Sequence, residues 1–400
     1  MKILYLSSVG QLGGAERSLL DVLWSLRRHA PALELELLSF GEGPLIEAAT
    51  SLGVPSDVIA LPEEASALGD WSFGARTIAQ LLGLLPRVPA LAGFVRRLHR
   101  RIASAQADVL HSNGPKAHIL GALLAGNDRR LVWHIRDFLS QRPLLRIGLP
   151  RLQRPRLSAI AISDAVASDT RQVLGRTRVH RVLNGVRTAE FASADTKAAD
   201  LDQLAGLPPA PVGTVRIGLV ATYARWKGHD LFLDAAARIA DCPVRFYVVG
   251  GPLYATRDTQ VTPEYLRARI IARGLEGRVG LVPFQADVPS TLAALDVVVH
   301  ASTQPEPFGR TVAEAMAAGR SVVAPGVGGI LEQAADGETA ILYPPGDAGA
   351  LGKALRSIAS DGKRRSSLGA AAQVHARRAL DAERLGPEIL EIYRQELQAP

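Results

Sequence analysis

Short runs built almost entirely of Val, Ile, Leu and aromatic residues recur along the chain, separated by longer stretches in which apolar positions return every three or four residues. In the first half these runs are KILYLSS, ELELLSF, DVIALP, DVLHSNG, RLVWHIRD, AIAIS and RVLNG. In the second half they are VRIGLVAT, RFYVVGG, VGLVPF, DVVVHAS, SVVAPG and AILYPP. Strands that are apolar throughout, spaced by helical segments, predict parallel sheets covered on both faces, which means two doubly wound α/β domains. Residues 1–190 form the expected first domain and 215–378 the second. Between them, 191–214 is rich in Ala, Asp, Pro and Gly, loses apolar periodicity and reads as a linker. In 379–400, Leu385, Ile389, Leu390, Ile392 and Tyr393 lie at helical spacing, predicting a terminal helix that packs back toward the first domain.

A chain of 400 residues with 47% hydrophobic and 21% charged content suits two globular cores and excludes a disordered tail. The one cysteine, Cys242, excludes an intramolecular disulfide and a thiolate metal site, and fits a cytoplasmic location. The N-terminal MKILYLSS runs into polar residues and glycines, so it reads as a buried strand and not as a signal peptide. The uncharged stretch 77–86 is far below the ~20 residues a spanning helix needs. Charge is uneven: residues 71–187 hold 20 Lys+Arg against 5 Asp+Glu, although the whole chain is only +7. That excess points to an anionic partner. Residues 76–101 mix apolar blocks with arginines and could lie on an anionic membrane, at the inner face of the plasma membrane, or equally be packed domain helices with solvated arginines. No zinc-finger, helix-turn-helix or RNP-like pattern accompanies the charge, so nucleic acid is not an expected partner.

In open parallel sheets ligands bind beyond the carboxyl ends of the strands, which directs attention to the loops that follow them. After DVVVHAS comes Glu306-Pro-Phe-Gly-Arg-Thr-Val-Ala-Glu314. Backbone N–H groups of Phe308, Gly309, Arg310 and Thr311 at that helix start would point at an anion, with the helix dipole adding attraction. Glu306 could accept hydrogen bonds from a sugar and Glu314 from a ribose, although spacing alone equally allows a solvated loop acid and an exposed helix residue. After VRIGLV, the loop Ala221-Thr-Tyr-Ala-Arg-Trp-Lys-Gly228 places Arg225 and Lys227 where two cations could meet phosphate oxygens, or form a solvated basic turn. After the first strand, Gly13 and Gly14 open a helix and permit close approach of a ligand, but no GxGxxG or GxxxxGK[ST] is present. His111 and His134 each end a predicted strand, where a histidine can bond a sugar hydroxyl or serve structure. No HExxH motif or Cys/His cluster appears, so no metal or other cofactor is expected.

Taken together, these residues resemble the retaining glycosyltransferases of the GT-B fold, specifically glycosyltransferase family 4. The resemblance is carried by the EX7E motif, met by Glu306 and Glu314 within PFGRTVAEAMAAG, by VGGILEQAADGETAILYPPGD, by RVLNGV and by GGAE. It implies two Rossmann-like domains facing across a cleft, the second binding a nucleoside-diphosphate sugar as co-substrate and the first binding the acceptor, a glycan, a lipid or a small molecule of cell-envelope polysaccharide synthesis. By that resemblance Lys227 neutralises the diphosphate, Glu306 holds donor-sugar hydroxyls, Glu314 holds the ribose, Phe284 and Gln285 lie near the base, Gly14 borders the donor phosphate and His111 lines the catalytic cleft. Gly13, Asn113 and His134 fall on the acceptor side. The chain departs from the family in two places. Ala221-Thr222 stands where Gly-Arg is usual, so Arg225 is the expected substitute for the phosphate arginine, and His111-Ser-Asn113 stands where many members have His-x-His.

The implied chemistry stabilises negative charge on a departing nucleoside diphosphate with fixed N–H groups, Arg225 and Lys227 in place of a metal ion. Two other readings fit the same residues. One is a nucleotide-sugar 2-epimerase of related fold, which would convert donor without acceptor. The other is a non-catalytic basic protein that binds membrane or nucleic acid, which nucleoside diphosphates would not stabilise against heat.

Overall fold

The computed structural model describes residues 1–62, 88–126, 128–192, 197–252 and 260–399. These divide into two compact units, Met1–Gly185 with Ala382–Pro400, and Val186–Asp381. The first is built on seven parallel strands: β1 (Lys2–Ser7), β2 (Glu34–Ser39), β3 (Ser56–Val58), β4 (Val109–Asn113), β5 (Arg130–Ile135), β6 (Leu157–Ala161) and β7 (Arg178–Arg181), in the order β3-β2-β1-β4-β5-β6-β7. The central strands are buried end to end, as their unbroken apolar runs require. Ile3, Leu4, Tyr5 and Leu6 of β1 are inaccessible to solvent.

The second unit has six parallel strands: β8 (Val215–Val220), β9 (Val244–Val249), β10 (Val279–Val282), β11 (Val297–Val299), β12 (Ser321–Pro325) and β13 (Ile341–Tyr343), ordered β10-β9-β8-β11-β12-β13. Helices cover the sheets, and several begin as the sequence dictates. Ser163, Thr262, Asp287 and Asp347 cap helices through their side chains, and prolines open the helices at 44, 115 and 263. In both sheets the strand order reverses at one point, between β1 and β4 and between β8 and β11, the place at which open parallel sheets bind ligands.

Three expectations change. The segment expected as a linker packs on the second unit. It holds the short helix Leu201–Leu204, and buried Asp202 of that helix takes hydrogen bonds from Arg245 (2.7 Å) and Tyr247 (2.6 Å) of β9. Polar composition concealed this because the anchor is an acid paired with a strand arginine and not an apolar run. The ladder expected at RVLNG starts earlier, at Arg178, and runs on through Val182 N–H to Ala161 O. Residues 76–87 of the basic segment lie outside the described residues, and the rest falls in the helix Val88–Ala105. Phe94, Leu98 and Ile102 on that helix are buried in the protein and Arg96, Arg97 and Arg100 are exposed. Phe94, Leu98 and Ile102 are therefore covered by the protein, as a packed helix with solvated arginines requires.

The terminal helix Leu385–Gln398 belongs to the first unit and contributes Leu385, Ile389 and Tyr393 to its core. Among the described residues no helix is long and apolar enough to cross a membrane.

Candidate functional site

In the second unit, β8 and β11 send their loops to the same point. The loop after β8 closes with a 3-10 turn, Arg225–Lys227, and Gly228 in left-handed conformation (φ +72°). A Cβ on Gly228 would lie 1.8 Å from Ala301 O, so the backbone of the β8 loop presses against the end of β11 in a way only glycine permits. Thr303 N–H donates to Trp226 O at 2.8 Å and fastens the two loops together.

This contact brings Lys227 Nζ to 2.6 Å from Glu306 Oε1. The same carboxylate accepts a short hydrogen bond from Ser302 Oγ, and His300 Nε2 lies 3.6 Å away, too long for a hydrogen bond. Burial by itself would raise the Glu306 pKa. The Lys227 charge, aided by His300 and the hydrogen bonds, outweighs burial and holds the carboxyl well below the usual range. His300 and Ser302, both from the DVVVHAS run, thus stand at this carboxylate.

The Glu306 loop leads into the helix Arg310–Ala317 through Gly309, also left-handed (φ +89°). Arg310 and Thr311 occupy the first turn of that helix, where backbone N–H groups have no intrahelical acceptor. Phe308 is buried, and its carbonyl accepts from Gln333 Nε2. Gly328 and Gly329 lie against the backbone of Glu306 and Pro307, and Gly329 N–H donates to Glu306 O at 2.9 Å. The VGGILEQ segment is thus the buttress of the Glu306 loop. Glu314 is buried and paired with Arg310 at 2.6 Å, which makes it neither an exposed helix residue nor a lone acid.

Arg225 is exposed at the start of the 3-10 turn. Phe284 projects from the end of β10 with 59% of its surface exposed, beside Gly251, and Gln285 Nε2 donates to Pro283 O at 2.9 Å. An aromatic this accessible beyond a buried strand offers a stacking face.

In the first unit, Gly13 N–H donates to the buried Glu16 carboxylate at 3.2 Å, and a Cβ at Gly14 would meet nothing within 4 Å. Burial raises the Glu16 pKa, opposed by backbone hydrogen bonds and by Arg136. His111 and His134, paired across β4 and β5, are buried, with His111 Nε2 3.1 Å from His134 Nδ1. His111 Nδ1 meets Tyr393 OH at 2.6 Å, which in turn lies 2.9 Å from Tyr5 OH. Asn113 Oδ1 accepts from Arg136 Nε. The structure therefore gathers His111, Asn113 and His134 in one buried polar chain. Both ring nitrogens of His111 are engaged by protein partners. Tyr393 was legible only as an apolar helix position and Arg136 was passed over. A buried tyrosine pairing with a strand residue far away in sequence leaves no local signal.

Among the described residues no group of three or more His, Cys, Asp or Glu side chains is placed to hold a metal ion.

Residues 209–375 match the family model Glycosyl transferases group 1, and residues 12–190 match Glycosyltransferase Family 4. The chain is 29% identical over 243 residues to a D-inositol 3-phosphate glycosyltransferase of Corynebacterium urealyticum, covering 59% of this chain and 56% of that protein. It is 30% identical over 252 residues to an alpha-maltose-1-phosphate synthase of Mycolicibacterium smegmatis, covering 59% and 62%. The matched region thus spans less than two thirds of these relatives' length. Over nearly its whole length the chain superposes on Anabaena Alr3699/HepE in complex with UDP-glucose, with TM-score 0.80, 27% identity, and 99% of this chain and 100% of that one covered. Sucrose-phosphate synthase from Thermosynechococcus elongatus, at 20% identity, TM-score 0.74 and 99% of both chains, shares the fold.

Proposed function

Because the chain belongs to the family 4 glycosyltransferases of GT-B fold, we propose that it transfers a sugar from a UDP-sugar to an acceptor hydroxyl, with retention at the anomeric carbon. The observation that carries this reading is the Lys227–Glu306 pair, set at the strand-order reversal of the second unit beside the glycine-started helix that holds Glu314. UDP and UDP-glucose are the ligands named for the Anabaena neighbour, and they suggest the nucleotide.

In this reading the diphosphate lies against the first turn of helix Arg310–Ala317, where the orientation of the backbone N–H groups and the helix dipole favour anions. Lys227 has three N–H donors, so it can keep Glu306 and still meet a phosphate oxygen. Arg225, exposed and unburdened by packing, adds charge from the loop tip. Glu306 accepts from hydroxyls of the donor sugar, Glu314 from the ribose, and the base stacks on Phe284 near Gln285. The bond from the anomeric carbon to the diphosphate oxygen breaks as the acceptor oxygen bonds to the same face of that carbon, and the acceptor's proton passes to the departing diphosphate. Charge grows on the leaving group in the transition state, so the cations and N–H groups bind that state more tightly than the ground state. These residues supply the counter-charge a metal would otherwise provide. The first unit binds the acceptor, with Gly13, Asn113 and His134 on that side, His111 lining the cleft and Gly14 bordering the donor phosphate.

The test is a panel of UDP, GDP and ADP in thermal melting. UDP at 100 times its Kd stabilises by about 2.7 kcal/mol, and the shift is expected to shrink in Arg225→Ala and to vanish in Lys227→Ala. No shift with any nucleotide would remove the donor assignment, and a full shift in Arg225→Ala would return that residue to a solvated turn. The configuration of the product, read by NMR coupling at the anomeric carbon, checks retention.

A further inference from the structure

A second group of cations lies at the opposite ends of the first unit's strands. A cleft of about 530 Å3 opens beside the first residues of β5, β6 and β7 and the end of helix Leu385–Gln398. Arg130, Arg154, Arg176 and Arg178 line it, and Glu396 is the one acid among its lining residues.

That acid is already committed. Glu396 is buried, its Oε1 lies 2.8 Å from His180 Nε2 and 3.1 Å from Arg178 Nη1, and the His180 hydrogen bond leads the interactions that lower its pKa against burial. Arg130 is only 6% exposed. Burial first, then the charge of Arg156, pulls its pKa down, with Glu396 opposing and Arg178 adding to the fall. Arg154 donates from Nη1 to Ala122 O at 3.2 Å, whereas its Nε and Nη2 are buried with no hydrogen-bond partner. Guanidinium N–H groups removed from water without an acceptor are costly. Arginines elsewhere in this chain meet carboxylates, as Arg245 does Asp202 and Arg356 does Asp241. Here the lining offers one carboxylate, and Arg178 is already bonded to it.

A surplus of guanidinium forks suits an anion with several oxygens on one centre, because each fork can hold two of them. The cleft volume falls in the range of small-molecule sites and exceeds what a lone phosphate fills. We infer that this cleft is a site for a ligand bearing a phosphate or diphosphate, gripped by Arg130, Arg154, Arg176 and Arg178 and separate from the donor loops of the second unit. The ligand's oxygens meet the guanidinium groups that face the cleft and leave the Glu396–His180 contact in place.

The probe is inorganic pyrophosphate, titrated calorimetrically into the full chain carrying Lys227→Ala, which weakens the phosphate grip proposed for the second unit. Saturable one-to-one binding is expected, weakened at least tenfold by adding Arg154→Gln with Arg178→Gln. Arg154 also holds the Ala122 carbonyl, so the exposed Arg176→Glu gives a second variant that spares that bond, and it too is expected to lose at least tenfold with an unchanged circular dichroism spectrum. Binding that is absent in the Lys227→Ala chain, or unchanged by both sets of arginine substitutions, overturns the site. Sedimentation with phosphatidylglycerol and with phosphatidylcholine vesicles separates the sources. Pelleting with the anionic vesicles alone, abolished by Arg176→Glu, identifies a lipid headgroup. Arginine-dependent pyrophosphate binding without pelleting identifies a soluble phosphorylated compound.

Discussion

Lys227 Nζ lies 2.6 Å from Glu306 Oε1, joining the loop after β8 to the loop after β11 across the point where the strand order reverses. Both side chains are largely buried, 22% and 13% exposed, so neither charge is neutralised by water as a surface pair would be. Each holds the other in place before any ligand arrives, and preorganisation of this kind lets a site stabilise charge without rearranging.

This pairing sets an order of stabilities. Lys227→Ala leaves the Glu306 carboxylate buried without its cation, and the protein is expected to lose about 1–3 kcal/mol, below the full cost of orphaning a completely buried charge because some water reaches the pair. Adding Glu306→Ala removes the orphan, so the double variant should be the more stable of the two. Urea unfolding of both single variants and the double closes the cycle. Strict additivity would mean the pair has no coupling. Both single substitutions should also cut turnover at least ~100-fold, as loss of one transition-state partner worth about 3 kcal/mol requires.

The apolar runs made the two sheets legible because parallel strands buried on both faces admit few polar residues. The placement of Lys227 and Glu306 on loops after strands, and of Glu314 on the helix that follows, was legible as well, and such loops are where these folds bind ligands. What the sequence concealed were partnerships between residues far apart in the chain. Asp202 draws the expected linker onto β9 through Arg245, Gly328 buttresses Glu306, and Tyr393 of the last helix reaches His111 of β4. Each depends on which elements become neighbours after folding, and no local pattern records that.

Gly228 tests whether loop approach, and not charge alone, builds the site. With φ +72° and Ala301 O 1.8 Å from where a Cβ would stand, Gly228→Ala is strained by both conformation and collision with backbone. The expected result is destabilisation of the second unit by about 2 kcal/mol or more, with the melting shift from UDP lost. Gly14→Ala meets nothing within 4 Å and should leave the fold intact. Equal stability of the two variants would show that the loops do not need that contact.

If Lys227, Arg225 and the helix start supply the counter-charge, removing divalent ions should leave the rate unchanged. Transfer measured in excess EDTA is expected to match that in magnesium. A loss in EDTA that magnesium or manganese restores would assign part of the counter-charge to a metal.

The histidines of the first unit give it a pH dependence whose sign can be worked out. Burial first, then the Arg136 charge, holds His111 and His134 well below the ordinary value of 6.5 and His118 down to about 3. In the folded state all three stay neutral as pH falls through 6.5, whereas in the unfolded chain they take up protons there, so acid favours unfolding. Each contributes a loss of about 1.4 kcal/mol between pH 7.5 and 5.5, roughly 4 kcal/mol together. Glu16 works against this, because burial raises its pKa and the folded state takes its proton first. Glu306, whose pKa is depressed, adds stability above 4.5 that is lost only at lower pH, outside this window. In the second unit burial pulls His229 down, to about 4, and this acts in the same direction there. The first unit should therefore lose more stability than the second between pH 7.5 and 5.5, and His118→Gln, which removes the ring bonded to Ser112 Oγ at 2.7 Å, should abolish about a third of the first unit's loss relative to its own stability at pH 7.5. Urea unfolding at pH 7.5, 6.5 and 5.5, with hydrogen exchange to separate the units, decides it, and a first unit as stable at 5.5 as at 7.5 would contradict the buried neutral histidines.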